Sequence, residues 1–234
     1  MIKQSISVVL PTFNEEGNIK IALGNIYNFL KRNFLDFEII VVDDGSKDNS
    51  WQVCSGMKSA LGDTLRITRH QENRGYGAAL RTGLFSAEKD LVFYTDSDNQ
   101  FDITQILEFI ECIGEYDLVI GYRQARKDSF LRIFASGAYR KLVHFIFGLK
   151  VKDINCSFKL FKRSCLFQLS IDRDGFFVDT ELLIKAKNSG FKIKELPVRH
   201  FSRKLGKSTV KVSHVFTTLK DIFYLHNKLK NEDA

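Results

Sequence analysis

Residues 91–100 read Leu-Val-Phe-Tyr-Thr-Asp-Ser-Asp-Asn-Gln. The first five are aliphatic, aromatic or β-branched and predict a buried strand. Two carboxylates one residue apart then end it. Buried charge is costly unless it is paired or binds a metal, so Asp96 and Asp98 belong at the strand's end rather than in a core. In an open α/β sheet that end faces the ligand crevice. Oxygen ligands at this spacing suit Mg2+ or Mn2+, with substrate phosphates completing the shell. Continued alternation would add Gln100 to the side that carries both acids. The plainer alternative is an Asx-rich turn capping a helix that begins near Ile103.

Outward from this stretch, strand and helix patterns alternate. Residues 5–10, 37–42, 65–68 and 117–120 read as strands. Helical spacing covers 15–30, a segment beginning near Asn49-Ser50, 75–87 and 103–113. This order predicts an α/β fold whose mostly parallel central sheet is flanked by helices on both faces. After Gly121 the texture changes. Residues 130–147 predict a basic amphipathic helix, with Phe130, Phe134, Ala138, Leu142 and Phe145 on one face. A strand at 158–161, a helix at 180–189 and an extended stretch at 191–198 follow. A last amphipathic helix spans 210–230. This pattern predicts a main α/β domain over residues 1–209 and a C-terminal amphipathic helix and tail over 210–234.

The 234 residues suffice for one large domain with an appendage. No run approaches the roughly 20 apolar residues of a membrane span, and the start at Met1 predicts no signal peptide. Cys54, Cys112, Cys156 and Cys165 include no Cys-x-x-Cys pair, which predicts reduced thiols and argues against structural zinc. The net charge of +7 favours anionic partners: nucleic acid, phosphorylated substrates or acidic lipid. Basic residues are not interleaved with a stacking stripe of aromatics, so nucleic acid is not expected.

Other strand ends carry polar turns. Pro11-Thr12-Phe13-Asn14-Glu15-Glu16 could face the crevice, or could start a helix with Asn14 as its cap. Asp43-Asp44-Gly45-Ser46 could bind ribose or a base edge, or form a tight turn. Asn73-Arg74-Gly75-Tyr76-Gly77 fails the dinucleotide fingerprint because Leu80 takes the third glycine position. It reads instead as a close-packed helix start. Gly206-Lys207-Ser208-Thr209 lacks the earlier glycine of a phosphate-binding loop, since Phe201 stands there. Arg123, Arg126, Lys127 and Arg132 form one basic cluster, and Arg199 to Lys204 a second. Arginine is suited to forked phosphate contacts, although a solvated face is the common fate of such runs.

Jointly, Ser7 to Glu15, Val41 to Ser46, Asn73-Arg74-Gly75 and Asp96-Ser97-Asp98 resemble the inverting family 2 glycosyltransferases of GT-A fold. Asp153 to Leu160, Gly175 to Leu183 and Arg203 to Ser208 are similar to dolichol-phosphate mannosyltransferases and related polyprenyl-phosphate glycosyltransferases. The resemblance covers roughly residues 5–212. It implies that Pro11, Phe13 and Glu15 line a nucleotide pocket, with Asp44 near base or ribose. Asp96, Asp98 and Gln100 would hold Mg2+ or Mn2+ and the donor diphosphate, and Arg123 would contact phosphate. Arg203, Lys207 and Ser208 would lie on a loop closing over donor and acceptor phosphates. Arg132 and the basic helix would meet the lipid phosphate at the membrane interface. The chain departs from the family pattern at Phe13, where tyrosine is common, at Asn99, where an apolar residue is common, and at Thr209, where lysine is frequent.

The implied reaction is sugar transfer, with inversion, from a nucleotide-diphospho-sugar to a polyprenyl monophosphate. A phosphate acceptor is already ionised near neutral pH and needs no strong base. A hydroxyl acceptor, as in surface polysaccharide or glycolipid synthesis, would need one; Asp153 and Asp179 are the candidates. The expected setting is the cytoplasmic face of a membrane, held peripherally, with a membrane-protein partner supplying a transmembrane part.

Overall fold

In this computed structural model, residues 1–124, 130–203, 205–206 and 213–232 are described, with 130–134, 213–216 and 232 described by backbone alone. The described strands are β1 (Ile6–Thr12), β2 (Phe37–Asp43), β3 (Leu65–Arg69), β4 (Leu91–Thr95), β5 (Leu118–Gln124), β6 (Phe158–Lys162) and β7 (Ile193–Arg199). They form one sheet in the order β3-β2-β1-β4-β6-β5-β7. β6 runs antiparallel to both β4 and β5, and the other pairings are parallel. The expected mostly parallel sheet is therefore present.

Both faces of the sheet are covered, which is why its strands read as unbroken apolar runs. One face packs Val8, Leu10, Ile39, Val41 and Phe93 under α1 (Ile19–Asn33), α2 (Ser50–Leu61) and α4 (Ile106–Cys112). The other packs Val9, Ile40, Val42, Val92 and Tyr94 under α3 (Tyr76–Phe85), α5 (Phe130–Phe147), α7 (Val178–Asn188) and α8 (Ser213–Glu232). A single turn, α6 (Arg163–Leu166), follows β6.

Two helix readings change in detail. α1 starts at Ile19 rather than at Glu15. The amides of Asn14, Glu15 and Glu16 donate to Ser46 Oγ, Ser50 Oγ and Asp48 Oδ2 at 2.9, 2.7 and 3.1 Å. These polar residues stitch two loops together instead of capping a helix, and Asn14 turns into the left-handed region at φ 56°. The apolar face expected on α5 also splits. Leu142 packs on the core with Val143 and Phe147, whereas Phe145 is 88% exposed. Phe130 and Phe134 have no described side chains. On α8, Ile222 and Leu225 are buried against the sheet's helical layer, while Phe223 and Tyr224 face out.

The order 3-2-1-4 reverses direction at β1. Chain leaves β1 toward β2 and returns through β3 to β4 on β1's other side. Such a switch point opens a crevice at the strands' carboxyl ends. Pro11, Asp43-Asp44 and Asp96 all stand there.

Candidate active site

The crevice is built from loops tied to one another. Ser97 Oγ donates to the Pro11 carbonyl at 3.2 Å, fixing the loop after β4 against that after β1. Asn99 Nδ2 donates to the Asn18 carbonyl at 2.9 Å, with φ 60° at Asn99. That left-handed residue breaks the alternation expected to carry Gln100 alongside the acids. Gln100 instead donates its amide to Asp98 Oδ1 at 3.0 Å and its Nε2 to the Phe201 carbonyl at 2.8 Å. Its side chain thereby ties Phe201 to the crevice.

Asp96 accepts from Tyr76 Oη at 3.1 Å and from Ser157 Oγ at 2.5 Å. Burial raises its carboxyl above the ordinary range. Asp98 is pushed up to about 7, by burial first and by the neighbouring Asp96 charge second. Two desolvated carboxylates side by side resist joint ionisation. A divalent cation would relieve this, and hard oxygen donors are its preferred chemistry. Among the described residues, no three or more His, Cys, Asp or Glu side chains are grouped to hold a metal alone. The acid pair thus fits Mg2+ or Mn2+ shared with phosphate oxygens.

Other expected residues take up definite places. Asp44 is 2% exposed. Its carboxylate accepts from the amides of Arg74 and Gly75 at 2.9 and 2.8 Å and contacts His70 Nδ1 at 2.7 Å. It organises the 73–75 loop that walls the crevice. Asp43 anchors the turn below it by accepting from the Ser46 amide at 3.1 Å. The glycine-rich start of α3 is close-packed, as read. A Cβ on Gly75 or Gly77 would lie 2.4 Å from the Asp174 or Arg173 carbonyl oxygen. The Gly77 amide donates to Asp174 O at 2.7 Å, so this helix start is already occupied by protein.

Arg123 forms a fork on Asp153, with Nε to Oδ2 at 2.7 Å and Nη2 to Oδ1 at 2.9 Å. Arg203 pairs with Glu15 and lies 4.0 Å from Asp98 Oδ2. Asn18 Nδ2 holds the Leu205 carbonyl at 3.2 Å. Arg203 and Leu205, from the stretch expected to close over phosphates, therefore lie against the loop after β1 and near Asp98. Phe13 is half-buried in the loop after β1. The side chain of Arg132 and residues Lys207 and Ser208 lie outside the described residues, as do Arg126 and Lys127.

The sequence reading gave no role to Tyr76, Ser157, His70 or Lys159. Lys159 is fully buried in β6 and bonds Asp179 at 2.5 Å. A lysine inside the apolar run Phe158-Lys159-Leu160-Phe161 was the available signal.

The family model described as Glycosyl transferase family 2 matches residues 7–169. The chain belongs to that family. It is 30% identical over 220 residues to dolichyl-phosphate beta-glucosyltransferase of Saccharomyces cerevisiae, covering 82% of this chain and 66% of that protein. It is 28% identical over 230 residues to dolichol-phosphate mannosyltransferase of Pyrococcus furiosus, covering 94% of this chain and 63% of that one. The chain spans less than two thirds of the length of the curated relatives it matches. Among solved structures it resembles glucosyl-3-phosphoglycerate synthase from Mycobacterium tuberculosis, in complex with Mn2+, uridine diphosphate and phosphoglyceric acid. There the TM-score is 0.72 and the identity 20%, over 94% of this chain and 76% of that one. That likeness bears out the GT-A fold.

Proposed function

We propose that this member of glycosyl transferase family 2 transfers a sugar, with inversion, from a nucleotide-diphospho-sugar to a polyprenyl monophosphate. The observation that carries the choice of acceptor is the commitment of Asp153 and Asp179. A hydroxyl acceptor needs a carboxylate to take its proton. Asp153 is held in a bidentate pair by Arg123, and Asp179 is 5% exposed and paired with Lys159. A phosphate monoester, already largely ionised near neutral pH, needs no such base. The polyprenyl-phosphate enzymes among the chain's relatives support the same acceptor class.

Asp96 and Asp98 would hold Mg2+ or Mn2+ against the donor diphosphate, with Gln100, though turned off their side, as a further oxygen donor by resemblance. The bound ion supplies Lewis-acid stabilisation of the leaving diphosphate. Pro11, Phe13, Glu15 and Asp44 would frame the nucleoside. Arg203, from the stretch after β7, and Arg123, from β5, would set cations against charge as it builds on the leaving group. Arg132, Lys207 and Ser208 are assigned to the acceptor phosphate by resemblance alone. Lipid contact is assigned to the outward side of α5, where exposed Phe145 stands among exposed Arg140, Lys141 and His144. An apolar wedge flanked by the cations of Arg140 and Lys141 suits an anionic interface. Among the described residues no helix is long and apolar enough to cross a membrane.

The test is a panel of nucleotide sugars with polyprenyl phosphate and MnCl2, with products read by mass spectrometry. The reading expects a glycosyl phospholipid from the wild type and none from Asp98→Ala. Full metal-dependent transfer by Asp98→Ala would overturn the donor site. Transfer to free sugar hydroxyls but not to the lipid phosphate would overturn the acceptor.

A further inference from the structure

Lys159 sits mid-strand in β6, opposite Tyr94 of β4 and Ile120 of β5. It is 0% exposed. Its ammonium donates to Asp179 Oδ1 at 2.5 Å, to the Cys156 carbonyl at 2.7 Å and to the Ile154 carbonyl at 3.0 Å. All three N–H donors are thereby used. A buried ion pair is a poor device for stability alone, since an apolar pair of similar volume often serves as well. What the apolar pair cannot do is hold two carbonyls of one loop.

That loop, residues 153–157, joins two parts of the crevice. At its start Asp153 carries the fork of Arg123. At its end Ser157 donates to Asp96. Asp179 in turn accepts from Tyr94 Oη and stands in the first turn of α7, where Thr180 Oγ1 lies 2.5 Å from Tyr139 Oη on α5. One ammonium thus sits where strand, loop and the α5–α7 layer meet.

We propose that Lys159 and Asp179 are positioning residues. Together they clamp the 153–157 loop so that Asp153 sets the direction of Arg123 and Ser157 sets that of Asp96. The catalytic consequence rests on the donor-site reading above, whereas the clamp itself does not.

Cys156 offers a reporter within the loop. Its thiol is fully buried, and burial raises its pKa far above the usual thiol range. Cys54, equally buried, lies on α2 in the same core layer but over β2 and β3 at the far end of the sheet, and reports on global opening. The experiment compares wild type, Lys159→Met, and Lys159→Met with Asp179→Asn, the last leaving no unpaired buried charge. Each is treated with N-ethylmaleimide and the labelled cysteines are located by peptide mass spectrometry. The expected result for the double variant is Cys156 labelling about tenfold faster or more, with Cys54 still protected. In the transfer assay, kcat falls about 10- to 100-fold in that variant, as when a supporting partner of a functional ligand is removed.

Equal protection of Cys156 and Cys54 in both variants would overturn the clamp. Simultaneous labelling of both cysteines in the double variant would reduce the pair to a fold-holding role and overturn positioning. So would a loosened Cys156 with kcat unchanged. A wild type that transfers nothing would sink the functional reading, while the labelling would still decide the clamp.

Discussion

Replacing Gly77 by alanine adds one methyl group at the first turn of α3, and the structure predicts a disproportionate cost. That Cβ would lie 2.4 Å from Arg173 O, 2.7 Å from Gly175 O and 2.8 Å from the Asp174 carbonyl carbon. All three are backbone atoms, so no side chain can swing aside. Ordinary contact requires the 173–175 loop to retreat by about 1 Å, enough to strain a close-packed region. The retreat loosens the Gly77 and Ala78 amides from Asp174 O, now at 2.7 and 3.2 Å. It also disturbs the stacking of Tyr76 on Phe176, whose ring centres are 5.6 Å apart. Overpacking costs about 1–3 kcal/mol, and each lost hydrogen bond about 1 kcal/mol. The better helix propensity of alanine returns about 1 kcal/mol. The net is a loss of about 2–4 kcal/mol, or roughly 4–16 °C in Tm for a chain of this size. Gly24→Ala in α1 is the control, because nothing lies within 4 Å of its Cβ. There the same substitution should stabilise by about 0.5–1 kcal/mol. Thermal and urea unfolding followed by circular dichroism would measure both. A Gly77→Ala protein as stable as wild type, or two variants moving in the same direction, would refute the packing argument.

Further expectations concern other parts of the chain. Burial works to raise the Asp172 carboxyl, but ion pairs with Lys228 and Lys185 at 2.6 and 2.9 Å outweigh it and hold the group at about 2. A depressed folded value stabilises above the unfolded value near 4, and this contribution is lost as pH falls through 2. Asp172→Asn should therefore cost about 1–2 kcal/mol at pH 7, discounted for partial exposure. Its gap to wild type in urea melts should shrink below about pH 4; a gap unchanged at pH 3 would count against the pairing. Asp44→Asn turns an amide toward the Arg74 and Gly75 N–H groups, and leaving one buried donor unpaired costs about 1–3 kcal/mol. The check is a lowered Tm together with weaker nucleoside diphosphate binding by calorimetry, and an unchanged Tm would refute it. Phe145→Glu on the exposed side of α5 should leave stability within about 0.5 kcal/mol and reduce flotation with anionic liposomes. Undiminished flotation at low salt would remove α5 from the interface.

The crevice was partly legible in the chain. Asp96 and Asp98 announced themselves because charge directly after a fully apolar strand has few places to go except a strand end. Asp43-Asp44 gave the same signal after β2. The glycines at 75 and 77 read as a close-packed helix start because their spacing fails the dinucleotide fingerprint, and the carbonyls of 173–175 are indeed packed against them. Helix faces were less readable. Periodicity placed Leu142 and Phe145 together on α5, yet one is packed and the other exposed. A period describes a single helix, whereas burial depends on the neighbouring helices. The start of α1 was displaced for a similar reason, since Asn14, Glu15 and Glu16 spend their amides on a loop more than 30 residues away.

What the sequence by itself determined is the alternation of buried strands and helices, the ends of those strands, and the acids that stand on them. These are local properties: apolar runs, turn residues and the cost of burying charge operate over a few positions. What only the tertiary structure decided is which distant groups complete the acids. Ser157 reaches Asp96 because β6 runs antiparallel beside β4, and Arg203 reaches Glu15 across 188 positions of chain. Lys159 reads locally as a charge out of place in an apolar strand, and becomes intelligible only when Asp179 and two loop carbonyls converge on it. Such pairings follow from strand order and register, which no short window of residues encodes.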